Sequence, residues 1–263
     1  MREYEHLKVT SAGAVTTVSL NRPDSHNALN KGLIRELTRC FDDLSESERA
    51  RVVVLSGEGR SFCAGADIGY MRDTAGLSYE ENLEDARMLG AMFRAVDECP
   101  KPVIAKVRGA AMGGGAGLVA AADVVVAEER TRFAFSEVRL GIAPATIAPF
   151  VARKIGASHA RSLFLTGERF DAARAREIGL VHESVAPQEL DAAVEGKVGE
   201  LLAGGPHAQA SVKALLRQLE SLEPMDAPGL MSRVISELRT GEEGQEGLSA
   251  FLEKREPRWR GTP

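Results

Sequence analysis

Hydrophobic and polar positions in the first half of the chain alternate between strand-like and helix-like spacing. Leu7–Val9 and Ala14–Leu20 alternate in part on either side of Gly13, which predicts a β-hairpin. Continuous apolar runs predict three further strands, buried on both faces, at Arg51–Ser56, Val103–Val107 and Val124–Val126.

Helical spacing fills the segments between these strands. A first helix is predicted to end near Leu44, with Asn27 or Asn30 as its N-cap. A second is predicted over Tyr79–Val96, and a third, built from small residues, follows the loop Gly113–Gly117. Strands that alternate with helices in this way are typical of a layered α/β core.

After about Phe150 the pattern becomes helical, and Asp171 is a predicted N-cap. The predicted helices are Ser158–Leu165, Ala172–Ile178, Glu189–Leu202, His207–Leu219, Leu230–Leu238 and Glu242–Lys254. We therefore predict an α/β core over residues 1–200 and a helical C-terminal segment over residues 201–263.

Composition narrows the class of protein. The chain has 263 residues, 27% of them charged, and a net charge of −5, which argues against a general nucleic-acid binder. The first residues lack the apolar core of a signal peptide. The most apolar stretch, Gly117–Ala127, contains Asp123 and is too short to span a bilayer. We expect a cytoplasmic protein with no membrane association.

Common catalytic and metal-binding motifs do not match this sequence. Cys40, Cys63 and Cys99 are widely spaced, which favours reduced, buried thiols and predicts no metal site. The loop Gly113–Gly117 lacks the Lys-Ser/Thr of a P-loop, and Leu118 replaces the last glycine of a dinucleotide fingerprint. The chain has no GxSxG motif of a serine hydrolase.

Two loops of small residues, each at the exit of a predicted strand, carry the candidate chemistry. Ser61–Ile68 follows one core strand, and Gly113–Gly115 follows the next and opens a helix whose first amides are free. Two such loops can aim two backbone N–H groups at one point and stabilise an oxyanion. Either loop alone is better interpreted as a tight turn shaped by packing.

Taken together, the motifs resemble those of the enoyl-CoA hydratase/isomerase (crotonase) family. The resemblance covers nearly the whole chain. It rests on Leu20–Pro23 with Asn27–Asn30, Phe62–Ile68, Lys101–Gly109, Gly113–Gly115 with Ala122 and Asp123, Phe164–Gly167 with Ala172–Val181, and Phe251–Arg255.

The resemblance implies a core of ββα units that forms a superhelix, and a helical C-terminal segment used for trimerisation. It also implies an acyl-CoA substrate, no separate cofactor because coenzyme A is part of the substrate, and assembly as a trimer or a dimer of trimers. The amides of Ala66 and Gly114 would hold the thioester oxygen. The residues implied to contact coenzyme A are His26, Ala28, Ala64, Asp67 and Ile68, with Phe251 and Lys254 contributed by a neighbouring subunit.

One of the two glutamates common in the family's hydratases is missing. Glu137 matches the second glutamate, whereas Gly117 stands at the position of the first and is expected to lie at the substrate. Ser136–Phe150 is similar to the corresponding segment of methylglutaconyl-CoA and isoprenoid-glutaconyl-CoA hydratases. Such substrates carry a second carboxylate, which Arg139 could reach.

The sequence therefore favours an enoyl-CoA hydratase in which Glu137 is the single acid/base. A Δ3,Δ2-enoyl-CoA isomerase that uses the same residues is the main alternative. Gly117 also leaves open a non-catalytic acyl-CoA-binding protein that has kept the scaffold. The acyl chain is left undefined by these motifs.

Overall fold

A six-stranded, largely parallel sheet forms the centre of the computed structural model, which describes residues 3–260. With strands numbered in chain order, its spatial order is β1 (Leu7–Ala12), β2 (Val15–Leu20), β3 (Val52–Gly57), β4 (Val103–Val107), β6 (Val124–Glu128) and β9 (Glu183–Val185). Only β1 runs antiparallel to its neighbour. The hairpin and the three buried strands predicted from the sequence are confirmed.

A second sheet has three short strands, none of which the hydrophobic pattern predicted. They are β5 (Ala110–Met112), β7 (Arg132–Ala134) and β8 (Arg169–Asp171). Strand β7 pairs parallel with β5 and antiparallel with β8. Strands of three residues are too short to show a periodicity of two. Strand β5 matters most because it carries the chain from β4 into the glycine loop.

Ten helices surround the sheets in the described part of the chain. They are α1 (Lys31–Glu46), α2 (Ile68–Ala75), α3 (Tyr79–Glu98), α4 (Gly114–Ala121), α5 (Ala148–Thr166), α6 (Ala172–Glu177), α7 (Leu190–Ala203), α8 (Pro206–Ser221), α9 (Ala227–Thr240) and α10 (Glu242–Leu252). Asn30 is the N-cap of α1 and accepts a hydrogen bond from the Leu33 amide at 2.8 Å. Asp171 caps α6, as predicted. Helix α2 was not predicted.

The two faces of the main sheet are covered by different helices. On one face, α1, α3, α4 and α5 enclose the larger core, in which Phe93 and Phe150 pack with their ring centres 6.0 Å apart. On the other face, α7 packs against β3, β4 and β6 through residues such as Leu190 and Val194. Burial on both faces explains the uninterrupted apolar runs of the parallel strands.

The C-terminal helices α8 to α10 bury little of their own surface. Ala250 is the one buried residue in these three helices, all of which lie within the described residues, whereas Phe251 is 81% exposed and Leu252 is 78% exposed. Exposed apolar side chains that lie together are typical of an interaction surface. Trimerisation through this segment and the division at residue 200 stay predictions.

No helix among residues 3–260 combines the length and the apolar character needed to cross a membrane. The prediction of reduced, buried thiols is confirmed, since Cys40, Cys63 and Cys99 are all free thiols and all buried.

A buried asparagine ties the turn after β2 to the loop after β3. Asn27 has a positive φ of 57°, and its Oδ1 accepts a hydrogen bond from the Arg22 amide at 2.9 Å. Its Nδ2 donates to the carbonyls of Glu58 and Ser61, both at 2.8 Å. Because its side chain is fully enclosed, these bonds fix the start of the loop that follows β3.

Replacing Asn27 by alanine should lower the free energy of unfolding by about 3 kcal/mol. The substitution leaves buried polar groups of Arg22, Glu58 and Ser61 without a partner, and alanine disfavours the positive φ. The exposed Asn21 provides the control, because Asn21→Ala should change stability by about 0.5 kcal/mol or less. Urea denaturation measures both values, and equal losses for the two variants would contradict the assigned role.

Candidate active site

The loop after β3 pairs along its length with β5. The amide of Phe62 donates to the Arg108 carbonyl at 2.9 Å, and the amide of Cys63 donates to the Ala110 carbonyl at 3.0 Å. The Met112 amide returns a bond of 3.0 Å to the Cys63 carbonyl. Because of this parallel pairing, the two candidate loops run side by side, and Gly65 of the first lies next to Gly113 of the second.

Two glycines lie where the loops touch. Gly65 has a φ of 94° and Gly113 a φ of 48°, conformations that a residue with a side chain rarely adopts. A Cβ on Gly65 would lie 2.9 Å from the Met112 carbonyl oxygen and 3.9 Å from the Gly113 Cα. The close approach of the two main chains therefore depends on the absence of side chains at both positions.

The residues that follow these glycines, Ala66 and Gly114, present free amides. Leu29 donates to the Gly65 carbonyl at 2.7 Å and accepts from the Asp67 amide at 3.0 Å, so the N–H of Ala66 points away from Leu29. Gly114 is the first residue of α4, where an amide has no acceptor within the helix. Within residues 3–260 neither N–H donates a hydrogen bond to a protein acceptor.

Ala66 and Gly114 both line a cavity of about 470 Å³. Of the residues predicted from the sequence, Ala64, Ala66, Gly114 and Glu137 line it. The remaining lining is mainly apolar and includes Leu29, Met71, Ala86, Leu89, Leu140, Ile142, Pro144 and Ile147. A mostly apolar cavity with a few convergent polar groups is the usual form of a small-molecule site.

The carboxyl of Glu137 lies beside the glycine loop. Glu137 begins a short 3-10 helix that ends at Leu140, and its Oε1 is 3.2 Å from the position a Cβ would take on Gly113. Its Oε2 is buried and has no hydrogen-bond partner in the described part of the chain. Burial raises the pKa of Glu137, which brings proton transfer closer to neutral pH.

Gly117, at the position of the first glutamate of the family's hydratases, is tightly packed. Gly117 is buried in α4, and a Cβ there would lie 2.3 Å from Ile147 Cγ2 and 3.0 Å from Phe93 Cε1. Ile147 lines the cavity, whereas Gly117 does not. Gly117, predicted to lie at the substrate, is thus separated from this cavity by Ile147, which packs directly over the glycine.

Two of the residues predicted for the coenzyme A channel, Ala28 and Asp67, contact the Arg22 side chain. Its guanidinium donates to the Ala28 carbonyl and pairs with Asp67 at 3.0 Å. Asp67 also caps α2 by accepting from the Gly69 amide at 2.8 Å. His26 is exposed and its carbonyl accepts from the Ala64 amide at 3.0 Å. Ile68 is 76% exposed, next to Asp67.

Three predicted residues lie away from the cavity. Arg139 is exposed, and its Nε lies 3.2 Å from the position a Cβ would take on Gly167, so it runs along that glycine. Phe251 and Lys254 are exposed at the end of α10 and do not line the cavity of their own chain. Their predicted role in a neighbouring subunit stays a prediction.

Sequence reasoning missed the wall of the cavity formed by α2 and α3. Tyr70 of α2 donates its hydroxyl hydrogen bond to the Asp85 carboxylate of α3, and both residues line the cavity. The start of α3 has a local signal in the sequence, because Ser78 and Glu81 form a capping box there. Asp67, an aspartate that caps α2, is a comparable sequence signal for the start of α2.

Cys63, the cysteine of the first candidate loop, is a poor candidate for a nucleophile. Burial raises the pKa of the Cys63 thiol to about 12, so the reactive thiolate is disfavoured. Residues 3–260 contain no group of three or more His, Cys, Asp and Glu side chains placed to hold a metal ion.

Two free main-chain donors and one partly buried carboxyl at a mostly apolar cavity form an arrangement suited to binding a carbonyl group on which negative charge develops. The comparisons with known proteins agree. Residues 10–262 match the sequence model of the enoyl-CoA hydratase/isomerase family, and this chain belongs to that family.

Similar proteins match this chain along almost its whole length. A crystal structure of an enoyl-CoA hydratase from Shewanella pealeana is 39% identical, with a TM-score of 0.94, and the match covers 98% of this chain and 97% of that one. Pseudomonas aeruginosa AtuE is 36% identical, with a TM-score of 0.94 and coverage of 97% and 100%. Enoyl-CoA hydratase ACTT6 of Alternaria alternata is 34% identical over 250 residues, or 94% of this chain and 80% of that protein. The predicted family and fold class are therefore confirmed.

Gly117→Ala should lower the free energy of unfolding by about 1–3 kcal/mol, because the added methyl group collides with Ile147. The loss should shrink in an Ile147→Ala background, where the colliding Cγ2 is absent. Gly196 in α7 is the control, since a Cβ there meets nothing within 4 Å and alanine should stabilise the helix. A Gly117→Ala protein as stable as the parent would contradict this packing.

Glu137→Gln should be more stable than the parent protein at neutral pH. Folding raises the pKa of Glu137 above the ordinary value of 4.5, so the folded protein loses stability as the pH rises from that value through the raised pKa. Glutamine does not ionise, so the gap between variant and parent should open across that window. Denaturation at several pH values tests this, with the exposed Glu195→Gln as control. A gap that stays constant with pH would contradict the assignment.

Proposed function

We propose that this chain is an enoyl-CoA hydratase in which the amides of Ala66 and Gly114 hold the thioester oxygen and Glu137 moves the protons. One observation carries the proposal. Two amides without a protein acceptor and a buried carboxyl oxygen without a partner converge on the same cavity. An acyl-CoA substrate is expected for this family.

In this mechanism a single carboxyl group suffices. The Glu137 carboxylate accepts a proton from water while the water oxygen bonds to the β carbon of the enoyl group. The electron pair of the double bond moves toward the thioester oxygen, where the Ala66 and Gly114 amides stabilise the enolate. Glu137 then gives its proton to the α carbon. The sum is the addition of one water molecule, and the carboxylate is regenerated.

Isomerisation is the second candidate, and the packing at Gly117 favours it. Ile147 fills the place of the first glutamate, so the cavity has no second carboxyl there to hold a water molecule. Glu137 would take a proton from the α carbon of a 3-enoyl thioester and return it to the γ carbon, again through an enolate. The non-catalytic alternative predicts binding of acyl-CoA with no turnover.

The charge of the cavity favours an uncharged acyl group. Its lining contains the carboxyls of Asp85 and Glu137, and no lysine, arginine or histidine from residues 3–260. A second carboxylate on the substrate would meet two acidic side chains without a compensating cation in this chain. This observation counts against the methylglutaconyl-type substrate, for which Arg139 was the predicted partner.

A panel of three thioesters separates the candidates, with products followed by mass. It contains a straight-chain 2-enoyl-CoA, a 3-enoyl-CoA and methylglutaconyl-CoA. The proposal expects the first to gain one water molecule. Conversion of only the 3-enoyl-CoA, without gain of water, would replace hydration by isomerisation. Acyl-CoA binding without any turnover would support the non-catalytic alternative.

Glu137→Gln should lower kcat about 10²- to 10⁴-fold, the usual contribution of one positioned acid/base. Binding of the acyl-CoA should change little, because the amides of Ala66 and Gly114 remain. Steady-state kinetics and calorimetry measure the two effects separately, with Glu195→Gln as the control for a surface substitution. Full turnover in Glu137→Gln would remove this residue from the mechanism.

A further inference from the structure

A second cavity lies directly behind one wall of the active site. It has a volume of about 380 Å³ and lies between the start of α1 and helix α2. Three of its lining residues, Tyr70, Thr74 and Asp85, also line the active-site cavity. These three residues therefore form the partition between the two cavities.

The hydrogen bond from Tyr70 to Asp85 closes this partition. Tyr70 and Thr74 are four residues apart and share a face of α2, while Asp85 lies on α3. Helix α2 has no fully buried residue, and the half-buried Tyr70 packs against the larger core. Burial and the neighbouring Asp85 raise the pKa of Tyr70, so its hydroxyl keeps its proton and remains a donor at neutral pH.

An acyl chain bound in the active-site cavity would extend toward this partition. A thioester oxygen held by the Ala66 amide places the acyl group beside α2, which starts two residues later. Met71 of α2 and Leu89 of α3 supply apolar lining next to the pair. Leu89 is four residues beyond Asp85 and shares its helix face. The apolar surface along α2 and α3 thus leads to Tyr70 and Asp85.

We propose that the Tyr70–Asp85 pair is the specificity-determining end wall of the acyl-chain site and sets the longest chain that fits. The inference rests on the proposed function, because it assigns the acyl chain to this cavity. Removing the tyrosine ring would join the active-site cavity to the second cavity, which reaches Asn30 and Leu77. A longer chain would then pass through the opening.

The test compares kcat/KM for straight-chain 2-enoyl-CoAs from four to ten carbons. In the parent enzyme kcat/KM should fall once the chain reaches the wall. In Tyr70→Ala the ratio of the ten-carbon to the four-carbon value should rise at least about tenfold, since each newly buried methylene contributes about fourfold. Tyr79→Ala, at an exposed position of α3 outside both cavities, should leave the ratio unchanged.

Asp85→Ala removes the side chain that α3 contributes to the same wall. It is the substitute test if Tyr70→Ala does not fold. An unchanged chain-length ratio in a folded, active variant of either kind would overturn the proposal. Calorimetry with saturated acyl-CoAs of the same lengths separates this result from failure of the proposed function. A shift of the preferred length in binding, without turnover in the parent, would support the wall and contradict the hydratase.

Discussion

The contact between the main chains of Gly65 and Gly113 is the constraint on which the site depends. A side chain would be strained at either position because both have a positive φ, and a Cβ on Gly65 would lie 2.9 Å from the Met112 carbonyl oxygen. The pairing of Cys63 with Ala111 and the bonds from Leu29 hold the two loops in this contact. This contact fixes the amides of Ala66 and Gly114 in place before any ligand binds. Within residues 3–260 neither amide has a protein acceptor. Donors fixed in advance need no reorganisation during reaction, which is the source of their effect on rate.

The same contact determines what Glu137 can do. Its carboxyl lies beside Gly113 with Oε2 enclosed, and this burial raises the pKa of Glu137. On the far side of the glycine helix, Ile147 covers Gly117 and makes the position of the absent carboxyl apolar. In the proposed mechanism Glu137 therefore serves both proton transfers. Hydration and double-bond isomerisation both satisfy that condition, and they differ in whether water is held near the β carbon.

Much of the scaffold could be predicted from the sequence, and the limits have physical reasons. The hairpin, the three buried strands and the caps at Asn30 and Asp171 are local patterns, and all are present. The strands β5, β7 and β8 are too short for any period to show. The fit of Ile147 over Gly117, and of Tyr70 against Asp85, joins residues far apart in the chain, so no local pattern reports it. Ala66, Gly114 and Glu137 came from the family resemblance, and the fold brings all three to one cavity.

The most direct test of the account is the infrared stretching frequency of an isotope-labelled thioester carbonyl bound to Glu137→Gln. This variant should hold a 2-enoyl-CoA without converting it at an appreciable rate. Two hydrogen bonds from the Ala66 and Gly114 amides should polarise the carbonyl and lower its frequency below the value of the free thioester in water. A frequency equal to or above that of the free thioester would show that the amides do not hold the oxygen, and would contradict the account.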